Sequence, residues 1–455
     1  MNIDETIEAF RTGTMEIDCP TMVLKQHAED GEVYEGNGYI RQTTDGALTF
    51  KLYVISATNV ALHRQFQLDA SIRPGTLFRD DEFYDLTATS IEGTTWTSQR
   101  ILPSSHSDVG AQTIITTGQL DRMRTDLGRT RQAHHLRVHF FEELEIPLHS
   151  MSEAERNGNR YYILDRSEFN IDAMKFEARK RRGSGDTVIE VTSESVLPEA
   201  FHVRVQEALQ YLTGKSAMWR ARVSSNHNGL TLELATRRRE SRHTQFPEPL
   251  STASIDYRDH GWDLFGRYLT YANTQTQGES WNPVAYHLYN AREATANSIE
   301  AGAVGVSVAL EAIASLVPVA SDEKLAERLT RCQQRFLDHI SNDSECAEFT
   351  ERLKGLLSNL TNKRPQDILQ TLAAAGAIEK GYISAWVNLR NRHVHPSLAD
   401  LKQPDAATYQ KVMDNVRRVE VLIHQLIFHL IGYQGPFTDY GANNYPQKSY
   451  PLAVT

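Results

Sequence analysis

The sequence predicts an α+β multidomain chain, with an antiparallel β-rich N-terminal half followed by an all-α helical bundle. Three observations predict it. Before residue 240, short alternating segments meet at turn dipeptides. From Pro283 onward, apolar residues recur at helical spacing with no strand signal between them. Between the two, the chain turns polar and carries closely spaced prolines. A chain of 455 residues exceeds what one ordinary core accommodates, so the change of pattern is read as a domain boundary. The expected organisation is a β-rich sensor or regulatory domain over 1–240, a helical linker region over 241–282, a helical-bundle domain over 283–432 and a C-terminal tail over 433–455.

In the first half, Asp45-Gly46 precedes an alternating segment over 47–55, and Glu92-Gly93 joins 84–91 to 94–101. Asn228-Gly229 joins 218–223 to 230–236, and both residues of that dipeptide tolerate the positive φ that a two-residue hairpin loop demands. A helix is expected over 199–212, with Pro198 near its first turn and Gly214 just past its end. The half thus reads as a sandwich or barrel with an inserted helix. The run from Arg237 to Arg242 and the two prolines Pro247 and Pro249 mark the boundary, because proline removes backbone donors. Beyond them Trp262, Phe265, Tyr268, Leu269 and Ala272 share a helical face, ahead of a polar loop over 273–280.

In the second half, Asn282 caps a helix that Pro283 begins, and Ile299, Ala303, Val306, Leu310, Ile313 and Val317 recur until Pro318 stops them. Ser321 is the expected cap of a helix presenting Leu325, Leu329, Cys332, Phe336 and Ile340; another runs through Phe349, Leu353, Leu356 and Leu360. The last carries Tyr409, Val412, Val416, Val419, Ile423, Leu426 and Leu430, and Gly432 ends it. Several amphipathic helices with short connections make a bundle.

Composition narrows the function. With 40% hydrophobic and 23% charged residues and a formal charge of -10, the chain is unsuited to coating nucleic acid, so any RNA contact must be local. Cys19, Cys332 and Cys346 lack the close spacing of a cysteine zinc site and do not suggest a disulfide framework, which points to a reducing cytosol. The N-terminus opens acidic with no apolar stretch behind it, so no signal peptide is expected and the protein is read as cytoplasmic. The longest apolar run, 301–320, carries Glu311 in its middle and reads as a buried core helix rather than a membrane span.

The chemistry concentrates in Arg390-Asn391-Arg392-His393-Val394-His395, followed by Pro396. Trp386 and Leu389 anchor the preceding helix. In an unbroken α-helix residues five apart point roughly 140° away from each other, so Arg390 and His395 share a site only if the helix stops. Pro396 disfavours helical geometry at the residue before it, which ends the helix around Val394. Cleavage of RNA by its own 2′-hydroxyl needs a group that titrates near neutrality and a permanent cation to hold the phosphate; histidine and arginine supply both. Asn391 can orient the histidine or bind phosphate through its amide.

An arginine, a polar residue and a histidine a few positions on, at the end of a late helix in an all-α bundle, resembles the motif of HEPN ribonucleases. The matching residues are Arg390, Asn391 and His395. Ala309-Leu310-Glu311 on a long apolar helix also resembles a first core helix of that family, with Glu311 where an acid often faces the site. Joined to a β-rich N-terminal domain, the arrangement is similar to ApeA-like HEPN proteins of bacterial anti-phage defence. The resemblance implies a metal-independent endoribonuclease with no cofactor, catalytic residues Arg390, Asn391 and His395, and RNA contacts at Arg392 and His393. It further implies a homodimer through the HEPN domain, growth arrest through RNA cleavage and a phage-derived trigger. His393, three residues from Arg390 and on its helical face, is the rival histidine. A non-catalytic binding module, in which the Arg–His pair only holds a phosphate, is the second reading, and an active β-rich half is the third.

Two further clusters have plain structural readings. Glu311 serves equally as a buried acid satisfied by an arginine. On a strand His135 and His139 would share a side with Arg137, which disfavours a metal there, so His134 to His139 is read as a polar strand face. Lys180-Arg181-Arg182 and Arg237 to Arg239 read as solvated basic runs.

Overall fold

A computed structural model describes residues 1–58, 77–108, 113–128, 134–156, 159–181, 183–226, 229–236, 246–251, 255–318, 323–342, 351–352, 355, 364–394 and 405–452. The chain is mixed, with a large antiparallel sheet in its N-terminal part and helices in its C-terminal part. It groups into two units, Met1–Gln206 with Ala217–Glu240, and Glu207–Ser216 with Ser241–Thr455.

The first unit opens with helix α1 (Ile3–Thr12), which the sequence reading did not foresee. Asn2 caps it by accepting from the Asp4 amide at 3.1 Å, and Gly13 ends it at φ 75°. Its buried face carries Ile7 and Phe10, which join Cys19, Met22, Leu24, Leu86 and Trp96 in one core.

The strands follow as β1 (Glu16–Gln26), β2 (Val33–Gln42), β3 (Leu48–Ala57), β4 (Tyr84–Thr89), β5 (Thr95–Ile101), β6 (Ser104–Asp108), β7 (Thr113–Leu120) and β8 (Arg122–Asp126). Then come β9 (His134–Phe140), β10 (Ser150–Arg156), β11 (Asn159–Ile171), β12 (Met174–Lys180), β13 (Thr187–Ser193), β14 (Ala221–Asn226) and β15 (Gly229–Ala235). They form one 15-stranded ladder in the order β10-β11-β12-β13-β9-β14-β15-β8-β5-β4-β1-β2-β3-β7-β6. Where β5 meets β8 the ladder narrows to the pair Thr97 and Arg124, and sheets of this size do curl or split.

All three hairpins foreseen at glycine turns occur: Gly46 and Gly93 take φ of 85° and 78°, and Gly229 opens β15 at φ 152°, while Asn228 lies outside the described residues. Helix α2 (Phe201–Thr213) fills the expected helical stretch, with Gly214 past its end at φ 66°.

The polar strand face expected at His134 to His139 is corrected. Strand β9 lies between β13 and β14, and His134, His135 and His139 are all buried. The sequence reading assumed one solvated face, whereas side chains on both faces of β9 are buried. His135 Nε2 lies 2.5 Å from a Glu190 oxygen, and burial, followed by the Arg137 charge, pushes His139 down to about 3. Among the described residues no group of three His, Cys, Asp or Glu side chains is placed to hold a metal ion.

The second unit is helical: α3 (Arg258–Gln275), α4 (Pro283–Asn297), α5 (Ile299–Leu316), α6 (Glu323–Asn342), α7 (Pro365–Ala374), α8 (Lys380–Leu389) and α9 (Ala406–Ile431), then a hairpin of β16 (Gly435–Thr438) and β17 (Gln447–Tyr450). Asn282 caps α4 by accepting from the Val284 amide, with Pro283 in the first turn. Ser298 separates α4 from α5: its backbone is extended at φ -162° and its hydroxyl accepts from the Ala301 amide at 3.0 Å. Gly432 ends α9 at φ 64°.

Two expected boundaries change. The region 241–282 is not a linker, since α3 buries Trp262, Leu264, Phe265, Tyr268, Leu269 and Ala272; an apolar face of that width must pack. Nor is 433–455 a tail: Tyr433, Phe437 and Tyr450 are buried, and each ring lies within 5.9 Å of the Phe428 ring, centroid to centroid.

Residues 207–216 belong to this unit through two anchors. Glu207 accepts from the Asn282 amide at 2.8 Å. Arg292, wholly buried on α4, donates to the carbonyls of Gln210 and Lys215 at 2.8 and 3.3 Å, meeting acceptors that the end of α2 leaves open. On α6 the expected apolar face is only partly covered. Ile340 is buried, yet Cys332 is exposed and Phe336 is 56% exposed. Ser321, Cys346 and the apolar residues of the next expected helix, Phe349, Leu353, Leu356 and Leu360, lie outside the described residues.

Candidate active site

The site is built on two helices. Helix α5 is apolar because it is central: Ala303, Val306, Leu310, Ile313 and Ala314 are buried, and α4, α7, α8 and α9 pack against it. It is also the one described helix long and apolar enough to cross a membrane, with 44% of that window buried within the structure. Glu311 interrupts its apolar run near the C-terminal end.

Helix α8 carries the motif. Ile383, Ala385, Trp386 and Leu389 form its buried side, and its N-terminal end is held at several points. The Glu379 amide donates to Gln425 of α9 at 2.8 Å, and the Tyr382 hydroxyl meets both oxygens of Asp439 at 2.9 Å. Asp439 is 1% exposed and also takes the Lys448 ammonium at 2.7 Å and the Gly441 amide at 3.0 Å. Burial, then the Asp439 charge, raises the Tyr382 phenol above its ordinary range. The sequence reading missed this cluster because its members lie far apart in the chain and no spacing announces them.

At Leu389 the α-winding stops and Arg390–Val394 continues as a π-turn packed against α5. The helix end expected around Val394 borders on residues outside the described ones, but α-geometry already ends at Leu389, five residues before it. A π-turn closes i to i+5, so it re-aims every side chain it carries, and such turns recur at functional sites.

Arg390, the first residue of that turn, donates from Nε to Glu311 Oε1 at 2.7 Å. The side chains are 38% and 30% exposed, so the pair lies at the surface of the unit and not in its core. Among the described residues no other acceptor engages the guanidinium, so Glu311 holds Arg390 from the side and the terminal nitrogens Nη1 and Nη2 remain for another anion. Asn391 is exposed on the same turn, and Arg392 and His393 are half-buried. His395 and Pro396 lie outside the described residues. Glu311 was left out of the expected catalytic set; the signal for it was an acid in the middle of a long apolar run.

Two buried titratable groups sit on α9. Burial pushes Glu420 up to about 7, with Arg417 at 3.0 Å opposing the rise. Burial pushes His424 down to about 3, and its Nε2 lies 2.9 Å from the Pro247 carbonyl oxygen. Of the basic runs, Lys180 and Arg181 pair with Glu143 and Glu8, and Arg182 and Arg237 to Arg239 lie outside the described residues.

No protein-family model, curated protein or solved structure matches the chain. The functional reading therefore rests on the residues themselves.

Proposed function

We propose that the second unit is a metal-independent endoribonuclease of the HEPN type, acting through Arg390, Asn391 and His395. The observation that carries the reading is the Arg390–Glu311 pair. A carboxylate engages Nε, fixes the plane of the guanidinium and leaves its terminal fork open, an arrangement suited to a phosphodiester bearing charge on its non-bridging oxygens. In the proposed reaction the substrate's 2′-hydroxyl attacks the adjacent phosphorus. The new P–O2′ bond forms as the P–O5′ bond breaks, leaving a cyclic phosphate and a 5′-hydroxyl. His395 moves the proton, Arg390 stabilises the phosphate, Asn391 supports them, and Arg392 and His393 contact RNA. Glu311 acts through Arg390 as a positioning residue.

The β-rich N-terminal part is proposed as a sensor, the working form as a cytoplasmic homodimer through the helical domain, and the biological role as ApeA-like anti-phage defence set off by a phage component. The test is expression of the intact protein, Arg390→Ala and His395→Ala in bacteria, with and without phage, followed by mapping of RNA ends. Fragments with cyclic phosphate ends from the intact protein alone are expected. Undiminished cleavage by either variant refutes the assignment, and RNA binding without cleavage by the intact protein turns it into a binding module.

A further inference from the structure

The first unit carries an open groove outside the site described above. Strands β2, β3, β7 and β6 present a shallow groove of 650 Å³ on one face of the sheet, lined among others by Tyr39, Arg41, Thr49, Lys51, Thr117 and Gln119. Its rows follow from register: Arg41 stands opposite Thr49 and then Gln119, and Tyr39 opposite Lys51, Thr117 and Ser104. Among the described residues no acidic side chain lines it.

The two cations are held in a particular way. The Arg41 guanidinium lies 5.1 Å from the Tyr39 ring centre and the Lys51 ammonium 5.1 Å from that of Tyr53, each two residues along its own strand and so on the same face. Among the described residues neither makes an ion pair. Most of the described basic side chains of this unit do have carboxylate partners, as Arg11, Arg137, Arg181 and Arg222 show. A groove over β2, β3, β7 and β6 that keeps two cations against tyrosine rings, among hydroxyl and amide groups and with its neighbouring acids confined to β1, is complementary to a phosphate-bearing ligand.

We infer that this groove binds the backbone of single-stranded RNA. Arg41 and Lys51 sit on neighbouring strands, diagonal to each other; such positions are about 7–8 Å apart, comparable with successive phosphates of an extended strand. The groove is open along the sheet, which suits a chain passing through it better than an enclosed single nucleotide. Its limit is also set by charge. Glu16 and Asp18 on β1 stand opposite Arg41 and Tyr39 in register, so the RNA lies over β2, β3, β7 and β6 and turns away before β1. The identity of the ligand as RNA rests on the ribonuclease reading, whereas the anionic character of the ligand rests on the groove alone.

The test uses the full chain carrying His395→Ala, a short fluorescein-labelled oligouridine and fluorescence anisotropy at several salt concentrations. Adding Arg41→Gln and Lys51→Gln together should weaken binding about tenfold and make the slope of log affinity against log salt shallower by about 1.4, the contribution of two single-strand phosphates. Adding Glu16→Gln and Asp18→Asn instead should tighten binding, a gain that misfolding cannot mimic. AMP in excess should not displace the oligomer; displacement by AMP at concentrations like those of the oligomer would overturn the RNA assignment in favour of a nucleotide pocket. Unchanged affinity and salt slope in the Arg41 and Lys51 variant would refute the site while leaving cleavage by the parent protein untouched. Groove-dependent binding by a protein that cleaves no RNA would uphold the site and sink the ribonuclease.

Discussion

If the proposed ribonuclease reading holds, replacing Glu311 separates catalysis from stability more cleanly than replacing Arg390. Its partner pair is roughly a third exposed on both sides, so solvent screens it, and surface pairs of this kind contribute at most about 1 kcal/mol. For a unit of this size that corresponds to a shift of about 2–4 °C in the unfolding midpoint. Catalysis should respond far more. Without a partner on Nε the guanidinium is free to rotate about its side-chain torsions, and a displacement of about 1 Å can cost about 100-fold in rate. Glu311→Ala is therefore expected to cut RNA about 100-fold more slowly, with kcat and kcat/KM falling together because the lost interaction serves the transition state. Glu311→Gln retains an oxygen that can accept from Nε and should recover about tenfold of that loss. The assay is single-turnover cleavage of a labelled RNA beside thermal unfolding of the same samples. Full activity in Glu311→Ala, or an activity loss matched by a midpoint drop well beyond 4 °C, would refute the claim that Glu311 acts by aiming Arg390.

Three more outcomes follow from the second unit. Glu420 is buried and its carboxyl rises from 4.5 to about 7, so between those values the folded state keeps a proton that the unfolded chain releases. The associated stability is complete below pH 4.5 and is lost as pH rises to about 7, about 3 kcal/mol in all; Glu420→Gln should abolish that part of the pH profile of unfolding, and an identical profile would contradict it. Asp439→Ala removes the acceptor of the Tyr382 hydroxyl and leaves Lys448 only Glu379, at 3.6 Å, so denaturant unfolding should show a loss of about 2 kcal/mol, a value near zero excluding Asp439 as an anchor of α8. Ser298→Ala removes the cap of α5 and should cost about 1 kcal/mol by the same measurement, with Ser298→Asp restoring it.

The parts of the fold legible in the sequence are those governed by local chemistry. Gly46, Gly93 and Gly229 announce hairpins because few other residues accept their backbone angles, and Asn282, Gly214 and Gly432 announce helix ends for related reasons. What escaped was long-range. Nothing in the sequence of β9 says that both its faces are buried, and nothing after Gly432 says that Phe428 awaits aromatic rings. The site divides the same way. Arg390 and Asn391 were readable from a motif, but the pairing of Arg390 with Glu311, 79 positions away, needed the packing of α8 against α5. The π-turn was unreadable because local periodicity does not distinguish it from the last turn of an α-helix.

The interleaving of segments has a practical side. A cut after Glu240 looks natural on paper, but residues 207–216 are numbered with one unit and assembled with the other. A fragment starting at residue 241 would retain Arg292 with its guanidinium buried and the Gln210 and Lys215 carbonyls missing, while a fragment ending at 240 would carry an orphaned stretch of helix that includes Tyr211 and Leu212. Insolubility of either piece would then say nothing about its function. A faithful dissection would graft 207–216 back onto the helical half, or supply it as a peptide and ask whether the two associate.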